Sequence, residues 1–158
     1  MDPEQKKRSM RSITYGVYVL TAKSGEDYAG ATVTWMTQAS MDPPKIMLGL
    51  KKGSKTAGMV KEVGAFALNI LSKSQKDIAK AFLKSASIKD NRINGYTFKT
   101  EHSSAPILND ALSYIECNVE TIIEGTDHDV VIAEVINAGI QSEEEPLVLG
   151  NTGWSYGG

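Results

Sequence analysis

YAGATVTWMTQASMDPPKIMLGLKKGSKT, residues 28–56, decides how the rest of the chain is read. It begins as a strand from Tyr28 and runs into a hydroxyl-rich end around Trp35, where Thr32, Thr34, Thr37, Gln38 and Ser40 cluster. Pro43 and Pro44 cannot donate backbone hydrogen bonds and mark a boundary before a second strand, Ile46 to Leu50. Gly53-Ser54-Lys55-Thr56 then opens a helix. Two features of this stretch suit one ligand. Trp35 and Met36 offer flat, polarizable apolar surface, while Ser40, Ser54, Lys55 and Thr56 offer anion-binding donors. A planar ring carrying a phosphate satisfies both.

Working outward, Ile13 to Ala22 is rich in β-branched and aromatic residues and reads as a strand buried on both faces. The turn chemistry of Lys23 to Asp27 pairs it antiparallel with the strand from Tyr28. After Ser54, Ala57, Val60 and Val63 fall three apart until Gly64 stops the helix, and Ala65 to Leu71 is a further short strand. Ser74 and Asp77 resemble a capping box before a second helix. Residues 85–106 form a long polar connection, of the kind that is functional or covers something. From Ile115 to Ile123 the odd positions are apolar or small, and Glu116, Asn118 and Glu120 occupy the even ones, so one face is expected in a core and the other in water. Gly125 to His128 makes a turn, Asp129 to Gly139 returns as a strand, and Leu147 to Gly150 is a last short one. The chain is therefore expected to be mainly β, an antiparallel barrel with two or three short helices inserted. Residues 1–12 read as a polar extension, 13–152 as the domain, and 153–158 as a glycine-rich tail, either free or the stub of a linker.

Composition narrows the function. The 158 residues suit one domain, and 41% hydrophobic with 23% charged residues is ordinary for a globular protein. A net charge of −2 provides no broad cationic field for nucleic acid. One cysteine, Cys117, forms no internal disulfide, which favours a reducing cytoplasm, and no apolar run reaches membrane-spanning length. There is no CxxC pair, metal-ligand spacing, nucleophile elbow or GxGxxG, so hard chemistry falls to a cofactor.

Each candidate residue also has a plainer reading. Gly53-Ser54-Lys55-Thr56 lacks P-loop spacing, because Gly49 and Gly53 enclose three residues and Ser54 intervenes before the lysine. Its hydroxyls, lysine and free N–H groups make either a monophosphate cradle or an ordinary N-cap beside a solvated charge. Trp35 is core or ligand surface. Arg92 reaches a phosphate or is solvated. His128, between two aspartates, is a turn residue or a donor to a ligand's carbonyl. His102 has no visible partner, and Cys117 reads as core.

In order and spacing, these segments resemble the flavin reductase-like family, whose fold is the FMN-binding split β-barrel. The matching pieces are Ala31 to Ser40 running into Met41-Asp42-Pro43-Pro44, Leu48 through Thr56, Gly64 to Leu71, Asp90 to Gly95, and Asp127 to Val135. Ile93, Thr126 and Ala133 depart from the family pattern. The resemblance implies an FMN-dependent oxidoreductase that takes hydride from NADH or NADPH and passes electrons to free flavin, ferric iron or a rubredoxin-like protein. It implies a flavin ring against Thr32, Val33, Thr34, Trp35 and Met36, with Gln38 and Ala39 in the same run. The phosphate would lie on Ser40, Ser54, Lys55, Thr56 and Arg92, with His128 on the nicotinamide side and as the catalytic residue. Trp154 joins the cofactor residues, and the Trp-Met pair and the WSYGG end resemble flavoredoxin-type members and flavin modules joined to rubredoxin-like domains. A homodimer is implied, with the site at its interface. The rival expectation is a split barrel that stores or senses FMN, or binds haem, without reductase activity.

Overall fold

β-Branched runs and tight turns generate eleven strands in the computed structural model, which describes residues 1–158. In chain order they are β1 (Tyr18–Ser24), β2 (Asp27–Val33), β3 (Met36–Met41), β4 (Pro44–Lys51), β5 (Ala65–Ile70), β6 (Ile88–Lys89), β7 (Arg92–Ile93), β8 (Tyr96–Lys99), β9 (Ile107–Leu108), β10 (Ser113–Ile123) and β11 (His128–Ile140). Seven form one antiparallel sheet in the order β2-β1-β5-β10-β11-β4-β3. Its two outermost strands are consecutive in the chain, separated only by Thr34 and Trp35. Two residues cannot span a flat seven-stranded sheet, in which neighbouring strands lie about 4.8 Å apart. The sheet must curl until its edges meet at that link, and this makes it a split barrel. Trp35 therefore sits on the seam, and its carbonyl accepts from Gly49 N at 2.8 Å.

Inside the curl, Leu20, Leu48, Leu50, Phe66, Leu68 and Val131 pack against Met59 and Val60 of α2 (Lys55–Val63). Ser54 caps that helix, and Gly64 ends it in the left-handed conformation at φ +66. On the opposite face, Val19 of β1 and Val17 just before it enter a second cluster. That cluster lies under Ile78 and Phe82 at α3 (Lys76–Ala81), with Ile93, Leu108 and Leu147. β1 is thus covered on both sides, as its apolar run predicts.

The structure departs from the sequence reading at several points. β1 starts at Tyr18 rather than Ile13, and Leu147 to Gly150 is not a strand: Val148 makes a single bridge to Gly16, and a 3-10 turn starts at Leu149. The first twelve residues contain a helix, α1 (Pro3–Arg11), capped by Asp2 accepting from Glu4 N at 2.9 Å. Met36 to Met41 is a strand of its own on β4, not the tail of β2. Gln75 takes the N-cap position of α3, while Ser74 donates to Glu144 at 2.8 Å, so no capping box forms. The connection from 85 holds β6, β7 and β8, which with β9 make a four-stranded sheet. The extra residue Glu120 shifts the register of β10, so the alternation breaks after Val119, and Glu116, on the face expected in water, is buried completely under the loop of His102 and Ser103.

Candidate active site at the barrel seam

A cavity of about 520 Å³ opens beside Trp35, within the range of small-molecule sites (roughly 300–1,000 Å³). The end of β2 and the β2–β3 link contribute Thr32 to Trp35, β4 contributes Gly49 to Lys51, and the start of α2 contributes Ser54 and Thr56. The far wall is Leu149 with Trp154 to Tyr156. Two lining residues carry buried polar atoms without a partner, Thr34 Oγ1 and Trp35 Nε1. An unpaired buried donor is costly, so a ligand with acceptors on its edge fits this wall.

The helix start supplies the other half. Ser54 Oγ accepts from Ala57 N at 3.1 Å and donates to Lys51 O at 2.9 Å. The N–H groups of Lys55 and Thr56 have no acceptor in the chain and stand free for an anion. Lys51 lines the cavity without a carboxylate partner, but Lys55 turns outward to Asp27 at 2.6 Å. That ammonium holds the Asp27 carboxyl below its usual range. Lys55 instead borders an adjoining hollow of about 180 Å³ that also contains Lys84. Small oriented donors, flat apolar walls and a helix start at one end fit a flavin carrying a phosphate.

His128 stacks on Trp35 with centroids 4.5 Å apart, and its Nε2 lies 2.6 Å from the Tyr156 hydroxyl. Asp127 Oδ1 is 3.3 Å from Nδ1, and the imidazole keeps the Asp127 carboxyl below its usual range. Burial, then the charge of Asp127, raises the Tyr156 phenol. The expected free tail is thus packed on the site, and Trp154, Ser155 and Tyr156 form one of its walls.

Of the residues singled out in the sequence, Thr32, Val33, Thr34, Trp35, Ser54, Thr56 and Trp154 line the cavity. Met36, Gln38, Ala39 and Ser40 lie on β3, past the seam, and do not line it. Nor do Lys55, whose side chain turns to Asp27, His128, which only stacks on Trp35 and meets Tyr156, or Arg92, whose Nη1 donates to Gly95 O at 3.2 Å in the β7–β8 turn. Lys51, Leu149 and Tyr156 were not anticipated. The paired lysines before Gly53 were a usable signal for the first, but nothing local brings the other two to the seam.

Three polar groups outside the cavity are structural. Cys117 is buried, and burial together with Glu116 pushes its thiol up to about 12, so it is no redox centre. Burial would raise the Glu116 carboxyl, yet hydrogen bonds from Ser103 N, Ser103 Oγ, His102 N and Asn137 hold it low. Those donors leave Glu116 little room for a metal, although Glu101 and His102 stand beside it. Asp129, 1% exposed, joins Lys61 at 2.7 Å and ties β11 to α2. No helix is long and apolar enough to cross a membrane.

Residues 10–157 match the model of the flavin reductase like domain. The chain is 35% identical over 152 residues to an NADPH-flavin oxidoreductase of Streptomyces viridifaciens, covering 92% of this chain and 78% of that protein. It is 32% identical over 139 residues to diflavin flavoprotein A 1 of a Synechocystis species, but spans only 24% of that protein's length. The solved styrene monooxygenase flavin reductase from Pseudomonas putida S12 superposes with a TM-score of 0.78 at 30% identity over 91% of each chain. The split barrel, its seam cavity and a match over nearly the whole length lead to one conclusion: this chain belongs to the flavin reductase-like domain family.

Proposed function

We propose that the protein binds FMN non-covalently at the seam, takes hydride from NADH or NADPH, and passes electrons to a soluble acceptor. The acceptor would be free flavin, ferric iron or a rubredoxin-like protein. One observation carries this reading: a single cavity joins the unpaired Thr34 Oγ1 and Trp35 Nε1 to the free amides at the start of α2. When bound, FMN supplies the hydride-accepting chemistry, and the chain supplies position and field. Thr34 and Trp35 would hold the heterocycle's polar edge, Leu50 and Trp154 its apolar faces, and Lys55 N, Thr56 N and Lys51 its phosphate. The relatives named as flavin reductases support the activity. His128 stacks on Trp35 outside the cavity lining and orients the indole, and its Nε2 would meet nicotinamide only once Tyr156 moves away. Met36, Gln38, Ala39, Ser40 and Arg92 lie outside the single-chain cavity and would meet ligand only across a homodimer interface.

The visible spectrum tests this reading. Protein reconstituted with FMN should show flavin bands that bleach on anaerobic addition of NADH or NADPH and return with an acceptor. Failure to take up flavin would refute the site. Flavin that binds but does not bleach with either nucleotide would refute the reductase.

A further inference from the structure

Three walls of the cavity belong to the sheet or to α2, and the fourth does not. No backbone N–H of Ser155 to Gly158 pairs with an acceptor in the chain, and Trp154 N reaches only Thr152 Oγ1 at 2.9 Å. This strap is held by side chains instead. The Tyr156 hydroxyl meets His128 Nε2 at 2.6 Å, and the Tyr156 ring stands edge-on to Trp35 with centroids 5.2 Å apart. Arg11 Nε, on α1, donates to Gly157 O at 3.1 Å. The fit to the indole is close: at Gly157, φ +79, an added Cβ would stand 2.8 Å from Trp35 Cζ2. The strap is shaped to its seat but lacks the backbone ladder that would make it permanent.

A hydride donor must approach the ring it reduces face to face, with the reacting atoms about 3–3.5 Å apart. The walls built on β2, β4 and α2 cannot move aside without breaking the barrel. The strap can. Its phenol also occupies His128 Nε2, the nitrogen a nicotinamide carboxamide would use beside Trp35. We propose that Tyr156 is a positioning residue that governs nicotinamide access: the resting strap fills the donor's place against Trp35 and His128, and the dinucleotide binds by displacing it. This rests on the flavin reading above. It adds that the chain carries its own competitor for the second substrate.

Arg11→Ala gives the cleanest test, because Arg11 latches Gly157 and does not line the flavin cavity. Apparent affinity is proportional to the fraction of open state, so unlatching, which raises that fraction, should lower the KM for NADH about three- to tenfold. The kcat and the FMN dissociation constant should stay near their parent values. Tyr156→Phe, which keeps the ring but loses the His128 contact, should lower KM in the same direction. A second readout needs no flavin: with Trp154→Phe leaving Trp35 as the lone tryptophan, Arg11→Ala should increase acrylamide quenching of its fluorescence. An unchanged or higher KM in both variants with FMN binding intact would overturn the proposal, as would unchanged quenching. Parent protein that takes up no FMN would sink the underlying function instead, and the FMN titration is run first to separate the two.

Discussion

Replacing Ser54 by aspartate separates two roles that share one position. Ser54 caps α2 through Ala57 N and, by the proposal above, borders the phosphate. Aspartate caps as well as serine, and its charge at a helix start adds about 0.3–1 kcal/mol. The unfolding midpoint of Ser54→Asp should therefore hold or rise by about 1–4 °C. A phosphate on the Lys55 and Thr56 amides would sit within reach of the new carboxylate. Two unit charges about 4 Å apart repel by about 1 kcal/mol in water and about 4 kcal/mol at an effective dielectric of 20. Ser54 is half-buried, so both limits apply. At 1.4 kcal/mol per decade, FMN affinity should fall about five- to several-hundred-fold. Riboflavin lacks the phosphate and should bind almost as it does to the parent. Ser54→Ala supplies the contrast, with about 1 kcal/mol of stability lost and no charge added. The assay is quenching of flavin fluorescence on titration, beside thermal melts of each variant. If Ser54→Asp weakens FMN no more than riboflavin, the phosphate does not lie at this helix and the cradle is wrong.

Three further outcomes are expected. Lys61 holds the Asp129 carboxyl below its usual range, so this contact stabilises the fold above about pH 4 and is lost as pH falls through the lowered value. Melting temperature should drop in acid more steeply for the parent than for Asp129→Asn, and equal slopes would remove Asp129 from the account. Cys117 should resist a thiol reagent at mildly alkaline pH in the native protein and react once urea unfolds it, whereas rapid native labelling would contradict its burial. At Gly49 an added Cβ would lie 3.1 Å from Trp35 Cε3. Gly49→Ala should thus shift the indole, changing the near-ultraviolet circular dichroism and weakening flavin while leaving the far-ultraviolet spectrum intact. An unchanged near-ultraviolet spectrum would show that Trp35 yields freely.

Local chemistry in the sequence determined most of the strands and the start of α2. β-Branched runs, the Pro-Pro boundary, the Ser54 cap and the Gly64 stop each act over a few residues, and each is found where the residues put it. The same stretch marked Thr32 to Trp35, Ser54 and Thr56, because hydroxyls and a tryptophan between two strands are visible without any fold. Only tertiary structure decided the rest. The curl of the sheet makes β2 and β3 opposite edges, which leaves Gln38 to Ser40 beyond the seam although they adjoin Trp35 in the chain. Glu116 keeps its alternating side of β10, but the segment from His102 to Ile107 folds over that face, and its donors compensate the burial. The last residues offered glycines and no apolar period, the marks of a loose end. Their place on Trp35 and His128 comes from contacts with Arg11, Trp35 and His128 across 146, 121 and 28 positions of chain. No local pattern encodes such contacts, because they exist only after the barrel has closed.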